Sequence, residues 1–301
     1  MKKILYNIIK YPLIIIFIKK NLINILKKRF KNYRSIKNRN IIWLILDVLF
    51  RREYLIKLKD KIELRELIDS TLMDGEGRKW ALYYYHQHFI KLKDLKTRRT
   101  GNMSTNDAEP IYEKMINFIK SNNLTDDQDT YIIQLGSSSG RVIEFFLKIF
   151  PKLNYISTDI NDEILDFQKE KYNYSNLKYF KCHAEDIDEC INNFNICDKN
   201  IILFSAASLQ YVNPFFLKIF FLKLRKYPKL NFFAMEPISL SFIDNNKKIS
   251  DHRVNISFSH RYDEYVKNSN ANIAEFQVIR PYSKDDKQHG DTGHFYLHVA
   301  N

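Results

Sequence analysis

The chain has 301 residues, 45% hydrophobic and 14% aromatic, which gives enough apolar material for a sizeable core and excludes a wholly disordered protein. Cys182, Cys190 and Cys197 are too few for a disulfide framework and contain no Cys-x-x-Cys pair, so a zinc ribbon does not fit and a reducing cytoplasm is the expected setting. The formal charge is +13, yet sixteen of the 48 Lys and Arg and three of the 35 Asp and Glu lie in residues 1–60, so that segment holds the whole excess and the remainder is neutral. A nucleic-acid enzyme would carry its basic charge on the body of the domain, so nucleic acid is not the expected partner.

Residues 4–18 are mostly apolar, interrupted by Asn7, Lys10 and Pro12, and fall short of the ~20 residues a membrane-spanning helix needs. No small-residue cleavage site follows them, so they do not read as a signal peptide. On a helix, Lys20, Asn21, Asn24, Lys27, Lys28 and Lys31 fall on one side and Leu22, Ile23, Ile25, Leu26 and Phe30 on the other. Two readings stand open for residues 1–60. One is a basic amphipathic helix in a membrane interface, where anionic lipid adds about 1 kcal/mol per nearby basic residue. The other is a helical extension packed on the main domain. Residues 41–50 form a second apolar run, too short to span a bilayer and expected to be buried.

Residues 61–125 read as a helical lid or linker segment, with helices over 62–72, 80–92 and 111–120. His86 and His88 are two apart on a helix, so they point to different sides and cannot share a metal ion. The polar loop 96–105 carries Arg98, Arg99 and Asn102, either as a solvated connection or as a flap that binds a carboxylate. Residues 121–130 are a polar linker.

The body, residues 126–301, alternates strand and helix. Tyr131, Ile132 and Ile133 read as a buried strand, Gly136-Ser137-Ser138-Ser139-Gly140 as a tight turn, and Val142, Ile143, Phe145, Phe146, Ile149 and Phe150 as a helix face. Strand, small-residue turn and helix in succession bring backbone close to a nucleotide-like ligand. A second strand over 155–158 ends on Asp159, nineteen residues beyond Gly140, where an acid is placed to take two ribose hydroxyls. Asp162 is then left to cap the helix over 161–171. Further strands are expected over 177–182, 200–205 and 230–235, the last stopped by Glu236-Pro237, with a helix over 215–225. A helix over 259–268 precedes two closing strands, 273–279 and 294–300. Alternation of this kind makes a largely parallel sheet with helices on both faces, an α/β Rossmann-like architecture.

This succession resembles the class I S-adenosylmethionine-dependent methyltransferases over residues 131–301. Their acid-x-Gly-x-Gly-x-Gly motif falls on Gln134-Leu-Gly-Ser-Ser-Ser-Gly140, where Gly136 and Gly140 match and Gln134 and Ser138 depart. The resemblance implies a seven-stranded sheet and a cofactor, S-adenosylmethionine, held by Gln134, Gly136, Ser137, Ser138, Gly140, Asp159, Ile160, His183, Ala184, Glu185 and Ser205. His183 stands where the family usually has an acid, and the Ala184 N–H is placed to meet the adenine. Ser208-Leu-Gln-Tyr-Val resembles a subset associated with bacterial surface-glycan genes.

The resemblance thus implies an O-methyltransferase acting on a sugar hydroxyl or another small polar acceptor. A hydroxyl acceptor needs a base, and His252 and His260 lead a group that also holds Glu236, Asp251, His289 and Asp291. None of these spacings is that of a metal site, so metal-independent chemistry is expected. A lipid or quinone acceptor would suit the hydrophobic N-terminus, and a catalytically degenerate interaction protein would account for the motif departures. The expected location is the cytoplasm, with the inner face of the membrane as the attachment point on the amphipathic-helix reading.

Overall fold

The computed structural model describes residues 109–245, 248–252, 257–279 and 292–301. The expectations for the basic extension, its membrane contact, the two helices before residue 109 and the loop 96–105 lie outside the described residues, as do those for His289 and Asp291. No helix among the described residues is long and apolar enough to cross a membrane.

The first described element, α1 (Glu109–Ser121), buries Ile111, Tyr112, Met115 and Ile119, the i, i+1, i+4, i+8 set of an amphipathic helix. Next come β1 (Thr130–Leu135), α2 (Arg141–Ile149), β2 (Asn154–Asp159), α3 (Asp162–Lys171) and β3 (Leu177–Lys181). A 3₁₀ turn, Ala184–Asp186, leads into α4 (Ile187–Asn193), followed by β4 (Asn200–Ala206) and a second 3₁₀ turn, Leu209–Tyr211. The chain continues through α5 (Pro214–Leu224), β5 (Leu230–Ser239), α6 (Leu240–Asn245), β6 (Ser250–His252), β7 (Phe258–His260), α7 (Tyr262–Asn268), β8 (Asn272–Ile279) and β9 (Thr292–Ala300).

Seven strands form one sheet in the order β3-β2-β1-β4-β5-β9-β8, parallel throughout except that β9 runs antiparallel to both neighbours. This is the Rossmann-like architecture expected from the sequence. The direction of strand addition reverses between β1 and β4, so a crevice opens there at the carboxyl ends of the strands. One face is packed by α4, α5 and α7 through Ile187, Leu217, Phe220, Phe221, Tyr265 and Val266. The other is packed by α1 and α2 through Met115, Val142, Ile143 and Phe146. The edge-on contact of Phe118 with Phe233 seats α1 on the sheet, and that of Tyr112 with Phe146 packs it against α2.

Three local expectations need correction. Asn161, not Asp162, caps α3, its Oδ1 accepting from the Glu163 N–H at 3.0 Å; Asp162 instead begins the helix and pairs with Lys181. β5 does not stop at Glu236-Pro237 but runs on to Ser239. Beyond Met235 the strand has left β4 and pairs with β9, so a residue without an N–H is tolerated. Finally, residues 259 and 260 are not helical: they pair with 250 and 251 in a two-stranded hairpin, and the helix starts at Tyr262.

Candidate active site

The turn after β1 is built on left-handed backbone: φ is +65° at Gly136, +51° at Ser138 and +73° at Gly140. At Gly136 a Cβ would lie 2.3 Å from Ser208 Oγ, and at Gly140 it would lie 2.7 Å from the Tyr172 ring, so neither position admits a side chain without displacement. Ser138 accepts the left-handed conformation with a side chain present, at a cost of about 1 kcal/mol. The hydrogen bond from Ser137 N–H to Thr158 O ties the turn to β2.

Helix α3 braces the turn from behind. Gln168 Nε2 donates to Ser137 Oγ at 2.8 Å and to Ser138 O at 2.7 Å, while its Oε1 accepts from Ser157 Oγ at 2.6 Å. Tyr172 OH donates to Ser139 O at 3.0 Å. The sequence reading missed both residues. The signal was there: Gln168 is the polar member of the buried set Ile164, Leu165 and Gln168, and a buried amide in an apolar stripe has a partner to serve.

Asp159, at the tip of β2, is 6% exposed and faces this turn. Its Oδ2 accepts from the Ser138 N–H and its Oδ1 from the Asn161 N–H, each at 3.1 Å. Burial pushes its pKa up to about 6 against the opposing pull of these backbone N–H groups. The residues of the Gly136–Gly140 turn and the β2 acid are therefore adjacent. Ile160, half-buried, follows directly and gives its N–H to the same carboxylate.

Two buried polar atoms near this edge lack a hydrogen-bond partner among the described residues: Gln134 Oε1 and Asn161 Nδ2. Gln134 is the penultimate residue of β1 and Asn161 follows the tip of β2. Orphan buried groups of this kind are rare and suit a ligand that supplies the missing donor and acceptor.

His183 caps the 3₁₀ turn Ala184–Asp186, whose position is fixed by Lys223 on α5: its Nζ donates to Glu185 O at 2.6 Å and pairs with Asp188 at 2.6 Å. His183 and Ala184 are half-buried and Glu185 is buried.

Ser205 does not present its hydroxyl to the crevice; it donates to Glu236 Oε1 at 2.6 Å, and both side chains are fully buried. Glu236 also accepts from the N–H groups of Ser208 at 3.2 Å and Gln210 at 3.1 Å. Burial raises its pKa to about 7, against these hydrogen bonds.

The histidines expected to act as bases lie on the β6–β7 hairpin, which packs on the 209–211 turn and on β5. His260 has no exposed surface, and its Nδ1 is 2.7 Å from Ser250 Oγ, which in turn contacts Tyr265 OH at 2.7 Å. His252 is registered opposite Phe258, and its side chain lies outside the described residues. Among the described residues no group of three His, Cys, Asp or Glu is placed to hold a metal ion.

No protein-family model matches the chain, and no curated protein does. Solved structures with a similar fold are S-adenosylmethionine-dependent methyltransferases. The one from Anabaena variabilis is 12% identical, covers 70% of this chain and 91% of its own, and superposes with a TM-score of 0.46. The one from Aquifex aeolicus is 11% identical over 70% of this chain and 98% of its own, with a TM-score of 0.43. A third, from Mesorhizobium loti, is 10% identical over 57% and 90%, also at 0.43. At this level of overlap the fold assignment rests on the strand order itself.

Proposed function

We propose that this chain transfers a methyl group from S-adenosylmethionine to a small polar acceptor, a sugar hydroxyl in surface-glycan assembly. The observation that carries the reading is the pairing of Asp159 with the Gly136–Gly140 turn at the point where strand order reverses. A carboxylate at that place takes vicinal ribose hydroxyls, and the left-handed turn lets backbone approach the ligand closely.

When bound, S-adenosylmethionine supplies an electrophilic methyl on sulfonium. The chain's own part is to hold and orient it, and positioning supplies much of the rate in an in-line displacement. A hydroxyl acceptor must also lose its proton. For His260, whose Nδ1 is engaged by Ser250, a base role needs the hairpin to shift, because the ring is wholly buried. The sugar acceptor rests on residues 208–212 of the sequence. Attachment at the inner membrane face rests on residues 1–31.

Titration calorimetry of the full chain with S-adenosylmethionine and with S-adenosylhomocysteine tests the reading. Wild type is expected to bind both, and Asp159→Asn to bind at least roughly tenfold more weakly, the loss of a charge-assisted hydrogen bond. A wild-type protein that binds neither is a fold without the chemistry, and the enzyme reading falls.

A further inference from the structure

The turn between β4 and α5 is held by a carboxylate from another strand. Glu236 stands on β5, yet its oxygens take the Ser205 hydroxyl and the N–H groups of Ser208, Leu209 and Gln210. It is fully buried, on the sheet face it shares with Ala234 and Ile238. The turn so fixed carries Ser208, whose Oγ donates to Gly136 O at 3.3 Å and fills the space where a Gly136 side chain would be. One continuous path therefore runs from the tip of β5, through the turn, to the first glycine of the loop that faces Asp159. Ala207 opens the turn at φ +58°, a conformation an alanine does not adopt without being held.

We propose that Glu236 is a positioning residue: it ties the 207–212 turn to β5 and thereby seats Ser208 against Gly136, shaping the cofactor site. The functional half of this inference rests on the methyltransferase reading; the structural half does not.

The carboxylate titrates in a useful range. Its pKa of about 7 in the closed turn exceeds the 4.5 of a solvated glutamate, so closure takes up a proton. Protonation thus favours closure fully below pH 4.5, and that contribution is lost as pH rises from there to about 7 and is level above. In the neutral acid, Oε2 still accepts from the Gln210 N–H, and the proton on Oε1 goes to Ser205 Oγ, which leaves Oε1 a weaker acceptor for the Ser208 N–H. Other titratable groups on the elements around this face are Tyr211 in the turn, Asp244 on α6, His260 on β7, Tyr262 on α7 and His294 on β9. The substitution has to separate these groups from Glu236.

Glutamine removes the titration and keeps the Ser205 and Gln210 contacts, but sets an amide N–H against the Ser208 N–H; alanine removes the tie. Hydrogen exchange of residues 206–212, corrected for intrinsic rates, is measured from pH 6 to 8.5 in wild type, Glu236→Gln and Glu236→Ala. Binding of S-adenosylhomocysteine is measured alongside. In wild type, protection of the turn is expected to decline from pH 6 to about 7 and to level above it. Glu236→Gln should abolish that decline, with protection and binding that fall between those of wild type and Glu236→Ala. Glu236→Ala should exchange at least roughly tenfold faster in the turn and bind at least roughly tenfold more weakly. Equal protection of the turn in Glu236→Ala and wild type overturns the proposal, as does a pH-dependence that survives in Glu236→Gln. If Glu236→Ala does not fold, the wild-type and Glu236→Gln pH series still decides. If wild type binds no S-adenosylhomocysteine, the cofactor reading fails, and the exchange experiment judges the tie on its own.

Discussion

At the scale of single residues, Gln134, Gly136 and Ser138 have different physical weights. Ser138 keeps the left-handed backbone that a glycine would hold more cheaply, and its N–H still reaches Asp159, so the substitution costs strain but not the contact. Gly136 is different, because its missing side chain is the space that Ser208 occupies. Ser138→Gly is therefore expected to leave stability unchanged or raise it by up to about 1 kcal/mol, with cofactor affinity kept. Gly136→Ala meets both a clash and a positive φ, and is expected to lose about 1–3 kcal/mol and to bind at least tenfold more weakly. Thermal melts paired with calorimetry read both effects, and equal behaviour of the two variants would show that the turn is not shaped as described. Gln134 exchanges a charge for an amide whose oxygen is buried without a partner among the described residues, leaving an acceptor but no net charge at that point.

At the scale of elements, the Gly136–Gly140 turn is a product of α3 as much as of its own glycines. Gln168 satisfies Ser137, Ser138 and Ser157 at once. Gln168→Leu keeps the volume but strands these buried groups, so a loss of roughly 2–4 kcal/mol is expected, with faster hydrogen exchange in residues 137–140 and weaker cofactor binding. Unchanged exchange there would mean the loop stands without its brace. This element also marks how far the sequence is legible. β1, α2 and β2 are local patterns, readable because Ile132, Ile133, Val142 and Phe146 repeat at strand and helix periods. Asp159 is readable because its distance from Gly140 is set by one helix and one strand. What periodicity does not encode is partnership across the fold. Gln168 serves a turn thirty residues earlier in the chain, and Glu236 serves a turn on another strand. The same limit explains the short β6–β7 hairpin, because Phe258, Ser259 and His260 offer no helical or strand run long enough to see.

At the scale of the whole molecule, buried ionisable groups set how stability follows pH. Asp159 and Glu236 have pKa values raised by burial to about 6 and about 7, from 3.8 and 4.5. Each binds its proton more tightly when folded, so each contributes stability at low pH that is lost as pH rises through its folded value. His298 acts oppositely. Stacked on Phe233 at 4.1 Å, its pKa is lowered by burial from 6.5 to about 4, so its contribution is present above 6.5 and lost as pH falls towards 4. Between about pH 4.5 and 6 two protons favour the folded state and one favours the unfolded; from 6 to 6.5 the glutamate and the histidine offset each other, and from 6.5 to 7 the glutamate acts alone. The net expectation is that stability falls as pH rises from 5 to 7, by at most about 1.4 kcal/mol per pH unit, and then levels. Below pH 4 it falls again, because Asp127 and Asp263, whose pKa values are depressed, become protonated and lose their partners. Urea denaturation from pH 4 to 8.5 traces this curve. Glu236→Gln should flatten the limb between 5 and 7, since it removes one of the two protons that outweigh His298. His298→Phe should steepen that limb by removing the opposing group. A limb that Glu236→Gln leaves as steep as in wild type would mean that Glu236 titrates in the folded protein as it does in water, and that the carboxylate is not buried as described.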